Sequence, residues 1–323
     1  MQAMERIMPN NIASDLVDTV QPPLRCLTID VEEYFHIEAA YDVIHPQDWS
    51  TMTSRVDRNI NLLLEIFERH HCRATFFFLG DVARRHQHLA RRCVEAGHEV
   101  ASHGMMHDRL HRLGRDHFRN DLQSCKKMLE DQTGKPVLGY RAPTWSITRK
   151  TRWAIDVLLE CDIIYDASIF PTYHPQYGVP DAPLIPYFLV SESGNGRLLE
   201  LPPLVWHLGG RNLPVAGGGY FRLLPLRLME SGLKQADRDN RPAIIYFHPW
   251  EFDPQCPRMP LTLLGRIRTY TGLSRTQVRL ENIIRRYQPW SCIKDQLDRF
   301  HALANNAEPF SLSEHYAASN MGR

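Results

Sequence analysis

The strongest constraint on the fold is an alternation in the first half of the chain, where short apolar runs ending in polar residues are each followed by an amphipathic stretch. Residues 24–29 read as a first strand. From Thr53 the apolar residues Val56, Ile60, Leu63, Leu64 and Phe67 share one helical face, with Thr53 or Ser54 available as N-cap. Residues 74–79, ATFFFL, have the aromatic content of a buried strand, and Asp81 is placed to cap a helix ending before Gly97. Residues 99–102 form a short strand. Phe118, Leu122, Cys125 and Leu129 then make a helical stripe that Gly134 stops, and 137–140 returns to strand. Thr148 opens a helix through Trp153 and Val157, with strand again at 163–165. Strand and helix alternating about four times specify a mainly parallel sheet or barrel of the α/β class.

The alternation then breaks. Residues 171–187 contain Pro171, Pro175, Pro180, Pro183 and Pro186, which excludes a regular element and predicts a long surface excursion. Beyond it, 198–201 reads as strand, Gly217 to Gly219 as a tight backbone passage before Tyr220, and a helix starts near Pro225. AIIYF at 243–247 is a buried strand, 261–303 is helical in pattern, and the last twenty residues read as a loose tail.

Lys+Arg 38 against Asp+Glu 37 gives a net charge of +1, so the chain as a whole has no excess calling for nucleic acid or an anionic membrane. The seven cysteines contain no Cys-x-x-Cys pair and read as reduced, buried thiols. Residues 1–23 lack the sustained apolar core of a secretory signal, and no window has the roughly 18–20 apolar residues of a membrane span. The expectation is a soluble cytoplasmic protein without a transmembrane segment.

The chemistry-bearing residues fall where strands end. TIDVEEYF, at 28–35, places Asp30 and Glu32 two apart and therefore on one face, with Tyr34 and Phe35 available to wall the spot. His103 and His107 in SHGMMH follow the third strand, Arg141 the fourth, Asp166 the fifth and His248 the last. In α/β barrels the C-terminal strand ends form the site, because loops distant in sequence converge there. Two imidazoles and a carboxylate make a common catalytic metal set. Zn²⁺ is the expected ion, and Co²⁺ or another first-row ion would also be accepted. On this reading Glu32, His103 and His107 are ligands, and Asp30 is the base that takes a proton from water. Arg141 would hold Asp30 ionised, His248 would serve as general acid, and Asp166 would orient His248.

These motifs, in this order, resemble the polysaccharide deacetylase family built on the NodB homology domain, also called carbohydrate esterase family 4. The resemblance rests on TIDVE at 28–32, HGMMH at 103–107, RAPTW at 141–145, DAS at 166–168 and YFHP at 246–249. It implies a distorted (β/α) barrel over 24–255, a helical C-terminal extension over 256–303 and a loose tail over 304–323. It also implies removal of N-acetyl groups from amino sugars of a polysaccharide or its precursor. The backbone N–H near Trp145 would face the developing oxyanion, with Tyr34, Pro143, Trp145 and Trp250 beside the substrate. Two departures stand out. Val31 separates the two acids, and Gly104 replaces the Ser or Thr usual after the first histidine, which puts the surroundings of the metal in question. DVEEYF, GGGYFRLLP and YFHPWEFDP resemble the deacetylases of exosortase exopolysaccharide loci, which implies an exopolysaccharide or its lipid-linked precursor as substrate. Alternatives are a hydrolase of small cyclic amides on the same fold, and a carbohydrate-binding relative without turnover.

Overall fold

A computed structural model describes residues 21–313. Residues 1–20 of the expected leader (1–23) and 314–323 of the expected loose tail (304–323) lie outside the described residues; the described start of that tail is packed, with Phe310 and Leu312 buried and the Phe310 carbonyl accepting the Val190 amide at 2.9 Å. Ten strands are present among those described: β1 Arg25–Val31, β2 Ala74–Phe78, β3 Glu99–Ser102, β4 Gly139–Tyr140, β5 Tyr165–Asp166, β6 Tyr187–Val190, β7 Arg197–Glu200, β8 Val205–Leu208, β9 Arg211–Pro214 and β10 Ala243–Phe247. Eight of them form one sheet in the order β10-β1-β2-β3-β4-β5-β7-β6. All neighbours in it are parallel except β6, which runs antiparallel to β7 at the edge. The described strands β10 and β6 do not pair with each other, so the expected distorted barrel is an open half-barrel.

The helices are α1 Val56–Arg69, α2 Gly80–Arg85, α3 Gln87–Glu95, α4 Leu110–Leu113, α5 Arg115–Thr133, α6 Ala154–Glu160, α7 Gly218–Leu223, α8 Leu226–Arg238, α9 Leu263–Tyr270, α10 Leu273–Arg286 and α11 Leu297–Asn305. Period-two alternation along the strands sets the two faces of the sheet. Leu27, Ile29 and Val31 of β1 pack outward with Phe76, Phe78, Ile245 and Phe247 against apolar stripes of α1, α3, α8 and α10. Cys26 points to the other face, with Phe77, Ala101, Tyr165, Leu199 and Ile244, and there Ile293, Phe300 and Ala304 from the C-terminal helical region cover it. Thr28 and Asp30 share the parity of Cys26. The inner face of β1 therefore changes from sealed apolar floor to polar rim along its length.

Several local expectations change in the structure. Neither Thr53 nor Ser54 caps α1; the Glu33 carboxylate accepts the amides of Arg55 and Val56, at 2.8 and 3.1 Å, and the Ser54 hydroxyl at 2.5 Å. The expected single helix after Asp81 is broken at His86 into α2 and α3. Asp81 lies inside α2, buried, and pairs with His36, Arg84 and Arg85 instead of capping. The β8–β9 hairpin, absent from the sequence reading, turns at Gly209 and Gly210 with φ of +58° and +76°, a two-glycine turn signal. At Gly217 a Cβ would lie 1.7 Å from the Tyr246 carbonyl oxygen, so the close passage demands glycine.

Candidate active site

The site is built at the C-terminal edge of the sheet, starting from β1. Asp30 lies opposite Phe77 in the β1–β2 register. The buried Arg141 crosses this face, with its guanidinium carbon 4.3 Å from the Phe77 ring centroid. Its Nη1 donates to Asp30 Oδ1 and to Thr28 Oγ1, both at 2.7 Å, and its Nε donates to the Ala167 carbonyl at 3.0 Å. Thr28 is itself tied through its hydroxyl to the Ile245 carbonyl at 2.9 Å. One arginine thus links β1, the end of β4 and the end of β5, and fixes the Asp30 carboxylate in orientation.

The loop carrying the two histidines is anchored by backbone bonds. At the start of α2, the amides of Gly80 and Asp81 donate to the Gly104 and Met105 carbonyls at 2.8 and 2.9 Å. Gly104 has φ +78°, and a Cβ there would meet Asp121 Oδ2 at 3.0 Å; that oxygen also accepts the Met105 amide at 2.9 Å. Asp121 from α5 therefore stands beside the loop at the position the sequence reading left in question. His107 adopts φ +58°, a conformation costly for a residue with a Cβ and found mainly where a site demands it.

Ligand-type atoms of Glu32, His103 and His107 lie within 4.8 Å of one another, all three residues being buried. Their chemistry fits a divalent cation. His103 Nδ1 bonds the Arg141 carbonyl at 2.7 Å, which leaves Nε2 as the lone-pair donor. Burial pushes the His103 imidazole down to about 4, so it is neutral. Glu32 Oε2 is buried without a hydrogen-bond partner and faces His107 Nε2 at 2.9 Å. Burial alone would raise the Glu32 carboxyl, but the facing His107 and His248 rings, with the Trp250 indole N–H at 2.9 Å, hold it well below the usual carboxylate range. The set offers two imidazole nitrogens and one carboxylate oxygen, the donor chemistry of a zinc-type centre.

His248, at the end of β10, completes the arrangement. Its Nε2 is 3.9 Å from Asp30 Oδ2 and 3.8 Å from Glu32 Oε1. The expected orienting residue, Asp166, is not its partner. Glu251 fills that place: its Oε2 accepts the His248 amide at 3.2 Å and lies 3.5 Å from Nδ1, while its Oε1 accepts from Arg222 Nε at 3.0 Å. The ring also stacks on Trp250 at 5.6 Å between centroids. Burial acts to lower the His248 pKa, but the surrounding Glu32, Glu251 and Asp30 carboxylates outweigh it and push the group up to about 9. The imidazolium is thereby favoured at neutral pH.

Asp166 instead sits beside Glu200 across the β5–β7 pair, both carboxyls wholly buried. Burial pushes Asp166 up to about 6 and Glu200 well above the usual range, so the native pair keeps a proton that two separate carboxyls release. The sign follows directly: because the folded state binds more protons, stability falls as pH rises from about 4, where unfolded carboxyls ionise, through 6 and above. Glu200→Gln, which keeps an oxygen for the Ile169 amide now bound at 2.9 Å, is expected to flatten this slope. Its gain should be on the order of 1–3 kcal/mol at pH 8 and smaller at pH 5. Denaturant melts across that range test this; identical slopes for both proteins would remove the shared proton.

The four residues expected beside the substrate are nearly enclosed. Tyr34 is 1% exposed and packs with Phe35, Ile37 and Trp49, so it forms the wall's interior and offers no free contact face. Trp250 supports Glu32 from within, and Pro143 and Trp145 are buried in the turn after Arg141. The Trp145 backbone N–H donates to the Ala142 carbonyl at 3.1 Å. The Thr144 amide next to it has no acceptor among the described residues. Thr28, Asp121, Arg222, Glu251 and Glu200 are the supporting residues that the sequence reading missed. For Glu251 a local signal existed: three residues after a strand-end histidine, it occupies the capping-box position of the short turn Pro249–Phe252.

The family model described as polysaccharide deacetylase matches residues 50–158, and a domain of unknown function, DUF3473, matches 167–298. A peptidoglycan deacetylase of Helicobacter pylori is 29% identical over 137 residues, covering 41% of this chain and 46% of that protein. A chitooligosaccharide deacetylase of Sinorhizobium fredii is 43% identical over 53 residues, covering 16% of this chain and 25% of that protein. The matches thus span less than half the length of these relatives. A solved Mycobacterium smegmatis chain classed as a polysaccharide deacetylase aligns with a TM-score of 0.59 at 18% identity, over 90% of this chain and 96% of that one, and establishes the shared fold. The chain therefore joins a region matching the polysaccharide deacetylase model, at 50–158, to a DUF3473 region at 167–298, on the fold of a solved polysaccharide deacetylase.

Proposed function

We propose that the chain is a metal-dependent hydrolase that removes N-acetyl groups from amino sugars of a polysaccharide or its precursor, with an exopolysaccharide as the natural polymer. The observation that carries this reading is the convergence of a possible ligand set, Glu32, His103 and His107, with Asp30 on one side and His248 on the other. Glu32, His103 and His107 would hold a divalent ion, most simply Zn²⁺, which would polarise the acetamide carbonyl and lower the pKa of water. Asp30, held by Arg141, accepts the proton of the attacking water as the C–O bond forms. The Thr144 amide donates toward the carbonyl oxygen as it gains charge. His248, supported by Glu251 and Arg222, gives its proton to the departing nitrogen as the C–N bond breaks, releasing acetate and the free amine. The names of the relatives, which act on peptidoglycan or chitooligosaccharide, support an N-acetylated glycan. The DVEEYF, GGGYFRLLP and YFHPWEFDP segments support the exopolysaccharide assignment.

The test is acetate release from N-acetylglucosamine oligomers and from crude exopolysaccharide, using chelated protein before and after addition of Zn²⁺ or Co²⁺. Release restored by metal is the expected result. Release from neither substrate, with metal demonstrably bound, would sink the deacetylase reading, and ring opening of cyclic ureides by the same metal-loaded protein, followed by loss of the substrate, would replace it.

A further inference from the structure

The net charge of +1 conceals a local imbalance. Between Asp253 and Glu281 there is no acidic residue, whereas Arg258, Arg266, Arg268, Arg275 and Arg279 all fall in that interval. The helix α9 lies at its centre and turns only a thin stripe, Gly265 and Thr269, toward the protein. Ala39 Cβ lies 3.8 Å from where a Cβ on Gly265 would stand, so this small residue lets the helix lie close. The remainder faces outward: Leu263 is 75% exposed, Leu264 56% and Ile267 46%, with exposed Arg266 and Arg268 interleaved. The helix α7 packs against both α9 and α10, and brings exposed Leu223 and Leu224 to the same region, where Val278 of α10 is also exposed. A shallow apolar dimple lined by Tyr220, Phe221, Leu224 and Met229 lies beside them.

A single exposed leucine needs no explanation, but three large apolar residues on an eight-residue helix, spaced among arginines, do. That combination suits a lipid interface, where apolar side chains enter the acyl boundary while guanidinium groups remain with the headgroup phosphates. Charge argues against a second copy: a twofold contact would set this acid-free, arginine-bearing segment against itself, arginine facing arginine. The position is also informative. Arg222, whose Nε bonds Glu251 beside His248, donates through its other nitrogens to the carbonyls of Arg268, Thr269 and Thr271 at 2.8–3.0 Å. One side chain therefore connects α9 to the acid side of the site. We propose that α9, with the adjoining ends of α7 and α10, docks the protein on an anionic lipid surface.

The docking is independent of the chemistry at the site and is tested without it. Full-length protein is sedimented with vesicles of phosphatidylcholine alone, and of phosphatidylcholine with an equal part of phosphatidylglycerol, at low and high salt. Binding to the anionic vesicles that weakens with salt is expected, with little binding to the neutral ones. Leu263→Ser, Leu264→Ser and Ile267→Ser together should weaken partitioning by about a hundredfold. Arg266→Gln with Arg275→Gln should weaken it by about thirtyfold. Because the arginine pair changes only exposed charge, it decides the matter even where the triple variant fails to fold. Absence of binding to anionic vesicles, or binding that neither variant alters, overturns the proposal. So does a wild-type dimer in sedimentation velocity that the triple variant dissociates, since the face then covers a second copy.

Discussion

Asparagine at position 30 is expected to lower the rate of acetate release by about a thousandfold while leaving bound metal near its wild-type content. The side chain keeps its size and one oxygen, so Arg141 retains an acceptor where it now bonds Asp30 at 2.7 Å, and the other Arg141 bonds, to Thr28 and the Ala167 carbonyl, are untouched. What is lost is the anion that accepts a proton. Asp30 is also not among the three residues whose ligand-type atoms cluster, so the ion has no reason to leave. Kinetics on N-acetylglucosamine oligomers, together with elemental analysis of the purified variant, separate the cases. Turnover within a few-fold of wild type would remove Asp30 as base, and joint loss of metal and turnover would make it a ligand.

His103→Ala combined with His107→Ala should abolish stoichiometric metal and, with it, all measurable turnover. Loss of a residue that merely supports a ligand typically weakens metal binding by about 10–100-fold, so removal of two ligands should weaken it by at least about a thousandfold. Titration of the chelated variant with Zn²⁺ in a calorimeter reads this directly and does not depend on activity. The alanines also release the Arg141 carbonyl from His103 and the Glu32 carboxylate from His107, so a thermal melt should accompany the titration. Full occupancy in a folded double variant would remove the proposed centre altogether.

Much of this architecture was legible in sequence where local pattern and tertiary role coincide. AIIYF at 243–247 and EVAS at 99–102 are strands with the expected bounds, because each run is wholly buried and polar residues end it. The stripe from Phe118 to Leu129 is one face of α5, and Gly134 ends the helix in the left-handed conformation that glycine tolerates. The candidate site was legible because its side chains follow strands, and parallel strands deliver their ends to one edge. What remained hidden depends on partners far apart in the chain. Glu33 caps α1 from 22 residues away, which no local rule distinguishes from a cap by Ser54. Glu200 lies against Asp166 only because β7 enters the sheet between β5 and β6. The Glu251–Arg222 pair, 29 residues apart, likewise has no spacing rule to reveal it. Strand β6 was obscured by the proline-rich approach to it, and β8–β9 by their polar, partly exposed character.

The covering of the inner sheet face bears on how such a protein can change over evolutionary time. The two matched stretches, 50–158 and 167–298, resemble separable modules when written in a line. Physically they are halves of one object. His103, His107 and Arg141 lie in the first, His248, Trp250 and Glu251 lie in the second, and Asp30 and Glu32 precede both. The floor beneath them is closed mainly by Ile293, Phe300 and Ala304, the last two beyond the end of the second match. Shuffling that exchanges one stretch for a homologue's must therefore preserve a shared candidate site and a shared seam at once. Recombination within this lineage should be selected against between residues 158 and 167, where a modular reading would place the cut.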